Sequence, residues 1–178
     1  MPARFAIIVF SGLGGTFMRR SLELLSLAAL AFLAGATVAA FSGSVPLPAR
    51  IPIHFNAAGT PDGWGSARML WLLPAVSTAL YLLMTWVSRY PEAFNYPVRV
   101  TPRNQEQLQQ LALGMIAWLK AELLCVFAWI QWSVIRASRQ PSQRLSPLLM
   151  PLLLAVVFAT LGVYVAAMFR AGRKPSPS

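Results

Sequence analysis

The chain has 178 residues, of which 57% are hydrophobic and 11% charged, with a mean hydropathy of +0.58; soluble globular domains carry roughly 25% charged residues. That composition excludes an ordinary water-soluble enzyme. The net charge of +10 does not mark a nucleic-acid binder either, because the arginines flank apolar runs and line no groove-facing helix.

Residues 1–17 contain one apolar patch, Phe5 to Phe10, too short to span a bilayer. They read as an N-terminal extension kept out of the fold, with Met18 as an alternative start to Met1. Arg19 and Arg20 then lead into the first of four apolar runs, at 22–42, 69–88, 108–135 and 147–169, which together hold 92 residues. A bilayer core about 30 Å thick needs about 20 residues of helix, and each run is that long. The first run is longer than the core of a cleaved signal peptide, so Val38 and Ala40 are read as part of an anchored helix and not as a cleavage site. The expected fold is an all-α integral membrane protein of four transmembrane helices, with a structured outer loop between the first two.

With the N-terminus inside, the cytoplasmic side receives Arg4, Arg19, Arg20, Arg89, Arg99, Arg103, Arg170, Arg173 and Lys174, and the outside receives Arg50, Arg68, Arg136, Arg139 and Arg144. Nine against five favours both termini in the cytoplasm of a multi-pass inner-membrane protein, although the three arginines of the 136–146 loop count the other way.

In the first helix, Ala28, Ala31, Gly35, Ala39 and Ser42 line small side chains along one face, and Ala155, Ala159, Gly162 and Ala166 do so in the fourth. The two ridges are expected to pack together. Pro74 removes a backbone donor from the second helix and is expected to kink it. Thr101 as N-cap and Pro102 at the first helical position predict the start of the third helix. Lys120 and Glu122 fall near the middle of this third run. Two positions apart on a helix, they point about 200° away from each other, while Gln131, three turns on, shares the face of Lys120. Charges at membrane depth are functional candidates. The structural reading has Lys120 snorkelling to the cytoplasmic surface and Glu122 in a polar contact with another helix.

The loop SGSVPLPARIPIHFNAAGTPDGWGSAR is the most distinctive stretch. Ile51, Ile53 and Phe55 alternate with Pro52, His54 and Asn56, predicting an extended segment with one apolar and one polar edge. Turns are expected at Gly59 and at Asp62–Gly63, returning Asp62 toward His54 and Asn56. One imidazole and one carboxylate are too few for a closed zinc site, so hydrogen bonding is expected there in place of a metal. No nucleophile–base pair, H-E-x-x-H, Walker or G-x-G-x-x-G pattern occurs, and neither catalysis nor a cofactor is expected. Cys125, the single cysteine, lies within the third run and offers no disulfide framework.

The run LPARIPIHFNAAGTPDGWGS resembles the signature of the bacterial membrane family called domain of unknown function 1648. The matching positions are Leu47, Pro48, Ile51, Pro52, His54, Phe55, Asn56, Gly59, Asp62, Gly65 and Ser66. The resemblance covers about residues 25–80, a helix-loop-helix unit, and leaves 89–170 as a second helical pair with a cytoplasmic loop. The family is similar to the N-terminal part of the SdpI proteins, which give immunity to a secreted toxin. The resemblance implies that Pro48, Pro52, His54, Asn56, Gly59, Asp62 and Gly65 form the identity-bearing loop.

The functional expectation is a sensing, immunity or scaffolding protein of the inner membrane whose extracytoplasmic loop meets a protein or peptide partner, alone or as an oligomer in the lipid bilayer. The alternative is an ion-coupled or small-molecule transporter subunit using Lys120, Glu122 and Gln131. The two differ in whether Lys120 and Glu122 face a cavity or a neighbouring helix.

Overall fold

The computed structural model describes residues 15–140, 146 and 148–173. Of the extension expected at residues 1–17, residues 1–14 lie outside the described residues, whereas Thr16 and Phe17 are not outside the fold but open the first helix. Four helices dominate: α1 (Thr16–Ser42), α2 (Leu72–Val87), α3 (Gln105–Arg139) and α4 (Leu149–Gly172). The segments Thr16–Ser42, Ala67–Val87, Gln105–Arg139 and Met150–Gly172 are long and apolar enough to cross a membrane. Leu82, Leu83, Leu152 and Phe158 are each more than half exposed, a surface suited to lipid and not to water. The chain is therefore a multi-pass membrane protein by the length and apolarity of its helices.

The helices run up-down-up-down. Along α3, Lys120 meets Glu23 and Gln131 meets Thr37, so α1 is parallel to α3; Thr85 meets Lys120 and the Leu70 carbonyl meets Gln131, so α2 is antiparallel. α3 is the centre of the bundle, with α1 and α2 on one side and α4 on the other. The inward stripe of α1 is Leu22, Ser26, Ala29, Leu33, Thr37 and Ala40, at the three- and four-residue spacing of one helix face. Leu33 and Ala29 pack with Leu124 and Ala128. On the other side of α3, Leu108 and Leu111 pack with Tyr164, Met168 and Ala171 of α4.

That arrangement corrects the expected pairing of small-residue ridges. Ala28, Ala31, Gly35, Ala39 and Ser42 are all exposed, as are Ala155, Ala159, Gly162 and Ala166. The polar residues Glu23 and Thr37, bonded to Lys120 and Gln131 of α3, favour the face of α1 that turns inward, because lipid would offer them no such partner.

Two helix starts also differ from expectation. α3 begins at Gln105, and Asn104 organises the entry: its Oδ1 accepts from the Thr101 N–H at 2.7 Å and its Nδ2 donates to the Arg99 carbonyl at 3.1 Å. Thr101 contributes its carbonyl, which accepts from the N–H groups of Asn104 and Gln105. A 3₁₀ turn, Ala67–Trp71, precedes α2, so Pro74 sits in the first helical turn, where a missing N–H interrupts little and no mid-helix kink is imposed.

The α1–α2 connection is not helical. β1 (Arg50–Phe55) and β2 (Pro61–Ser66) form an antiparallel hairpin on the end of the bundle, which amends the all-α expectation. Ile51, 1% exposed, pins it against Ala40, Leu70, Val134 and Ile135.

Candidate functional site

The hairpin turn is built by Asn56. Its Oδ1 accepts from the N–H groups of Ala58 and Thr60, both at 3.0 Å, while its backbone N–H donates to the Thr60 carbonyl at 2.9 Å. Gly59 closes the turn at φ 72°, a conformation that residues with a Cβ rarely adopt. Asp62–Gly63, expected as a turn, lies instead inside β2. Gly63 is opposite His54, and a Cβ there would come within 2.8 Å of the His54 Cβ. The close approach lets Asp62 Oδ1 sit 2.5 Å from His54 Nδ1.

His54, Asn56 and Asp62 therefore do not converge. His54 pairs with Asp62 on an exposed surface, and Asn56 folds back on its own turn. The register shifts between Pro52 and Phe55 break the expected alternation: Pro52 is buried beside Ile51, and Ile53 is turned outward at 47% exposure. With side chains 70% and 43% exposed, the His54–Asp62 pair contributes at most about 1 kcal/mol. Among the described residues no three His, Cys, Asp or Glu side chains are grouped to hold a metal. Pro48 and Pro52 stiffen the lead into β1, and Gly65 leaves room for Ile53, whose Cδ1 a Cβ would approach to 2.9 Å.

Below the hairpin, polar side chains tie the helices together at two levels. Lys120, 4% exposed, does not snorkel: its Nζ donates to Glu23 Oε2 at 2.6 Å and to Thr85 Oγ1 at 2.9 Å, and lies 4.7 Å from the centre of the Tyr81 ring. Tyr81 in turn donates its hydroxyl to Glu23 Oε1. A charge taken out of water needs such a set of partners, and here they come from α1 and α2.

Gln131, 1% exposed, forms the second level. Its Nε2 donates to Thr37 Oγ1 at 2.6 Å and to the Leu70 carbonyl at 3.0 Å, and the Thr37 hydroxyl passes its own proton to the Leu33 carbonyl at 2.7 Å. Leu70 stands four residues before Pro74, which has no N–H to give it. The α3 side chain supplies the bond that the proline withholds. A carbonyl can only accept, so this contact fixes the amide with Nε2 toward Leu70 and leaves Oε1 buried without a donor.

On the opposite face of α3, Glu122 accepts from the Thr160 hydroxyl of α4 at 2.5 Å, while its Oε2 is buried with no hydrogen-bond partner among the described residues. The angular separation of Lys120 and Glu122 thus sends them to different helices, and Gln131 falls on the Lys120 side. Sequence reasoning missed Glu23, Tyr81, Thr85, Thr37 and Thr160. Glu23 had a signal, being the single acid of the first apolar segment; in hydrocarbon a lone acid requires a cation or a donor.

Residues 27–78 match the family Domain of unknown function (DUF1648). The DUF1648 segment takes in most of α1, the whole hairpin and the start of α2, including Thr37, Leu70 and Pro74; Lys120, Glu122 and Gln131 lie beyond it. An uncharacterized protein of Archaeoglobus fulgidus is 41% identical over 59 residues, covering 29% of this chain and 32% of that protein. The chain thus spans about a third of the length of this relative. No solved structure matches the chain.

Proposed function

We propose that the protein is a sensing, immunity or scaffolding protein of the cytoplasmic membrane, with the hairpin on the extracytoplasmic side as its recognition element. The observation that carries this reading is the construction of the hairpin. Its inner edge is locked to α1, α2 and α3 through Ile51, while Ile53, His54, Asp62 and Trp64 are displayed outward on a frame stiffened by two prolines and the Asn56 turn. A rigid element with exposed apolar and polar groups binds without a large ordering cost. The involvement of Lys120 and Gln131 in ties between helices supports the same reading, since both are consumed in holding the bundle under the hairpin. Resemblance to the SdpI proteins makes a secreted peptide or small protein the partner of choice.

Glu122 Oε2, which has no hydrogen-bond partner among the described residues, favours a second reading, an ion-coupled or small-molecule transporter subunit, because a buried carboxylate oxygen left without a donor is costly to keep. A strain lacking the protein, challenged in parallel with secreted antimicrobial peptides and with sodium or acid stress, separates the two. Under the first reading peptide sensitivity rises at least about tenfold, wild-type protein restores resistance, Glu122→Gln restores it equally, and a variant with residues 44–66 replaced by a Gly-Ser linker does not. Ion sensitivity rescued by the linker variant but not by Glu122→Gln would establish the second reading instead.

A further inference from the structure

The arginines at the hairpin end work against the charge asymmetry that orients a membrane chain, so Arg68 and Arg139 call for a local reason. Of the five acidic residues only Asp62 lies at that end, and it is paired with His54. Both arginines are exposed, and among the described residues neither guanidinium has a carboxylate or other acceptor. Their positions frame one feature. Phe41, at the end of α1, stacks on Trp71, just before α2, with ring centres 6.2 Å apart and planes 11° from parallel, and the two residues are 43% and 47% exposed. Side chains three apart in a 3₁₀ turn eclipse, which sets Arg68 about 6 Å beyond Trp71 on the same side of the turn Ala67–Trp71. From α3, Arg139 reaches the end of α1: a Cβ on Gly43, two residues past Phe41, would stand 3.5 Å from its Nη2. Toward the bilayer centre the aromatic pair continues into the lipid-facing stripe of Leu72, Val76 and Leu83 on α2, each between 43% and 55% exposed.

We propose that this seam between α1 and α2 seats an anionic phospholipid of the leaflet on the hairpin side, its phosphate held by Arg68 and Arg139, its glycerol region against Phe41 and Trp71, and an acyl chain along Leu72 and Val76. Aromatic rings collect at the depth where acyl chains meet headgroups. A guanidinium beyond each end of such a pair lies at headgroup level, and its planar fork matches phosphate oxygens. The charge of the lipid follows from the missing acids: with no free carboxylate nearby, a choline or ethanolamine ammonium finds only cations, whereas a net negative headgroup meets two of them. The apolar half of the seam selects a lipid over free phosphate, since exposed rings and the α2 stripe give an inorganic ion nothing. The site is independent of any partner the hairpin meets.

The experiment uses the full chain in phosphatidylcholine nanodiscs and two photoreactive lipids with the same diazirine-bearing acyl chain, a phosphatidylglycerol and a phosphatidylcholine, with adducts located by mass spectrometry. At Trp71, Leu72 and Val76 the phosphatidylglycerol probe should label about tenfold more than the phosphatidylcholine probe, a ratio within reach of two arginine–phosphate contacts. Arg68→Gln and Arg139→Gln should each reduce that excess to about threefold, and the double substitution should remove it. Labelling by the phosphatidylcholine probe should stay the same in all three variants, which shows that the bundle is intact. Arg89→Gln, at the opposite end, should leave the excess unchanged. Equal labelling by the two probes in the wild-type protein, or an excess that survives the double substitution, would overturn the proposal. So would loss of the excess in millimolar inorganic phosphate at constant ionic strength, which would assign the arginines to the free ion.

Discussion

Lys120 illustrates what a single charge requires at membrane depth. Two hydrogen bonds and a ring face replace its hydration, and the compensating charge is Glu23 on a different helix. Removing the cation strands that carboxylate and frees the Tyr81 hydroxyl's partner from its counter-charge. Lys120→Met should therefore destabilise the protein by about 3 kcal/mol, the low end for a buried ion pair, because the Glu23 side chain remains 36% exposed. Exchange of the two residues, Glu23→Lys with Lys120→Glu, should recover part of the loss by keeping opposite charges in register. Thermal unfolding in detergent, followed by the helical circular-dichroism signal, measures both. If the exchanged pair were no better than Lys120→Met alone, the ion pair would not be what holds α1 to α3.

At the scale of elements, the bond from Gln131 to the Leu70 carbonyl couples α3 to the start of α2 through an atom that Pro74 leaves unpaired. Pro74→Ala supplies an N–H at the position from which a helix would serve that carbonyl. Gln131→Met should cost about 2 kcal/mol in the wild-type background, since a buried carbonyl and the Thr37 hydroxyl both lose a donor. In the Pro74→Ala background the same substitution should cost about 1 kcal/mol less, the size of one hydrogen bond. A double-mutant cycle of thermal unfolding reads this coupling directly, and strict additivity would disprove the compensation. The small residues on α1 and α4 teach a different lesson: close-packing capacity does not select a helix face when polar groups on another face have only protein to bond to.

For the whole molecule, the two ends of the bundle differ in charge. Among the described residues, Arg19, Arg20, Arg89, Arg99, Arg103, Arg170 and Arg173 lie at the end where α1 begins, and Arg50, Arg68, Arg136 and Arg139 at the hairpin end. The excess favours the first end in the cytoplasm. In intact cells, a cysteine introduced as Ala57→Cys should react with a membrane-impermeant maleimide, and Ala93→Cys only after permeabilisation, against a Cys125→Ser background that removes the native thiol. The reverse pattern would invert the protein and place the hairpin inside.

Length and apolarity were sufficient to locate the four membrane-length segments, because spanning a bilayer imposes a one-dimensional constraint that each segment meets alone. The opposed directions of Lys120 and Glu122, and the shared face of Lys120 and Gln131, followed equally from the 3.6-residue helical period. The turn at Gly59 was legible from residue type. The tertiary structure alone decided that Glu23 answers Lys120, that Gln131 serves the carbonyl Pro74 abandons, that α4 packs on α3 and leaves its small ridge outward, and that Asn56 shapes its own turn away from His54 and Asp62. Each of these depends on which residues from distant parts of the chain reach the same depth and azimuth in the bundle. Local periodicity does not encode that placement; it is set by where side chains such as Lys120, Glu122 and Gln131 find hydrogen-bonding partners on other helices.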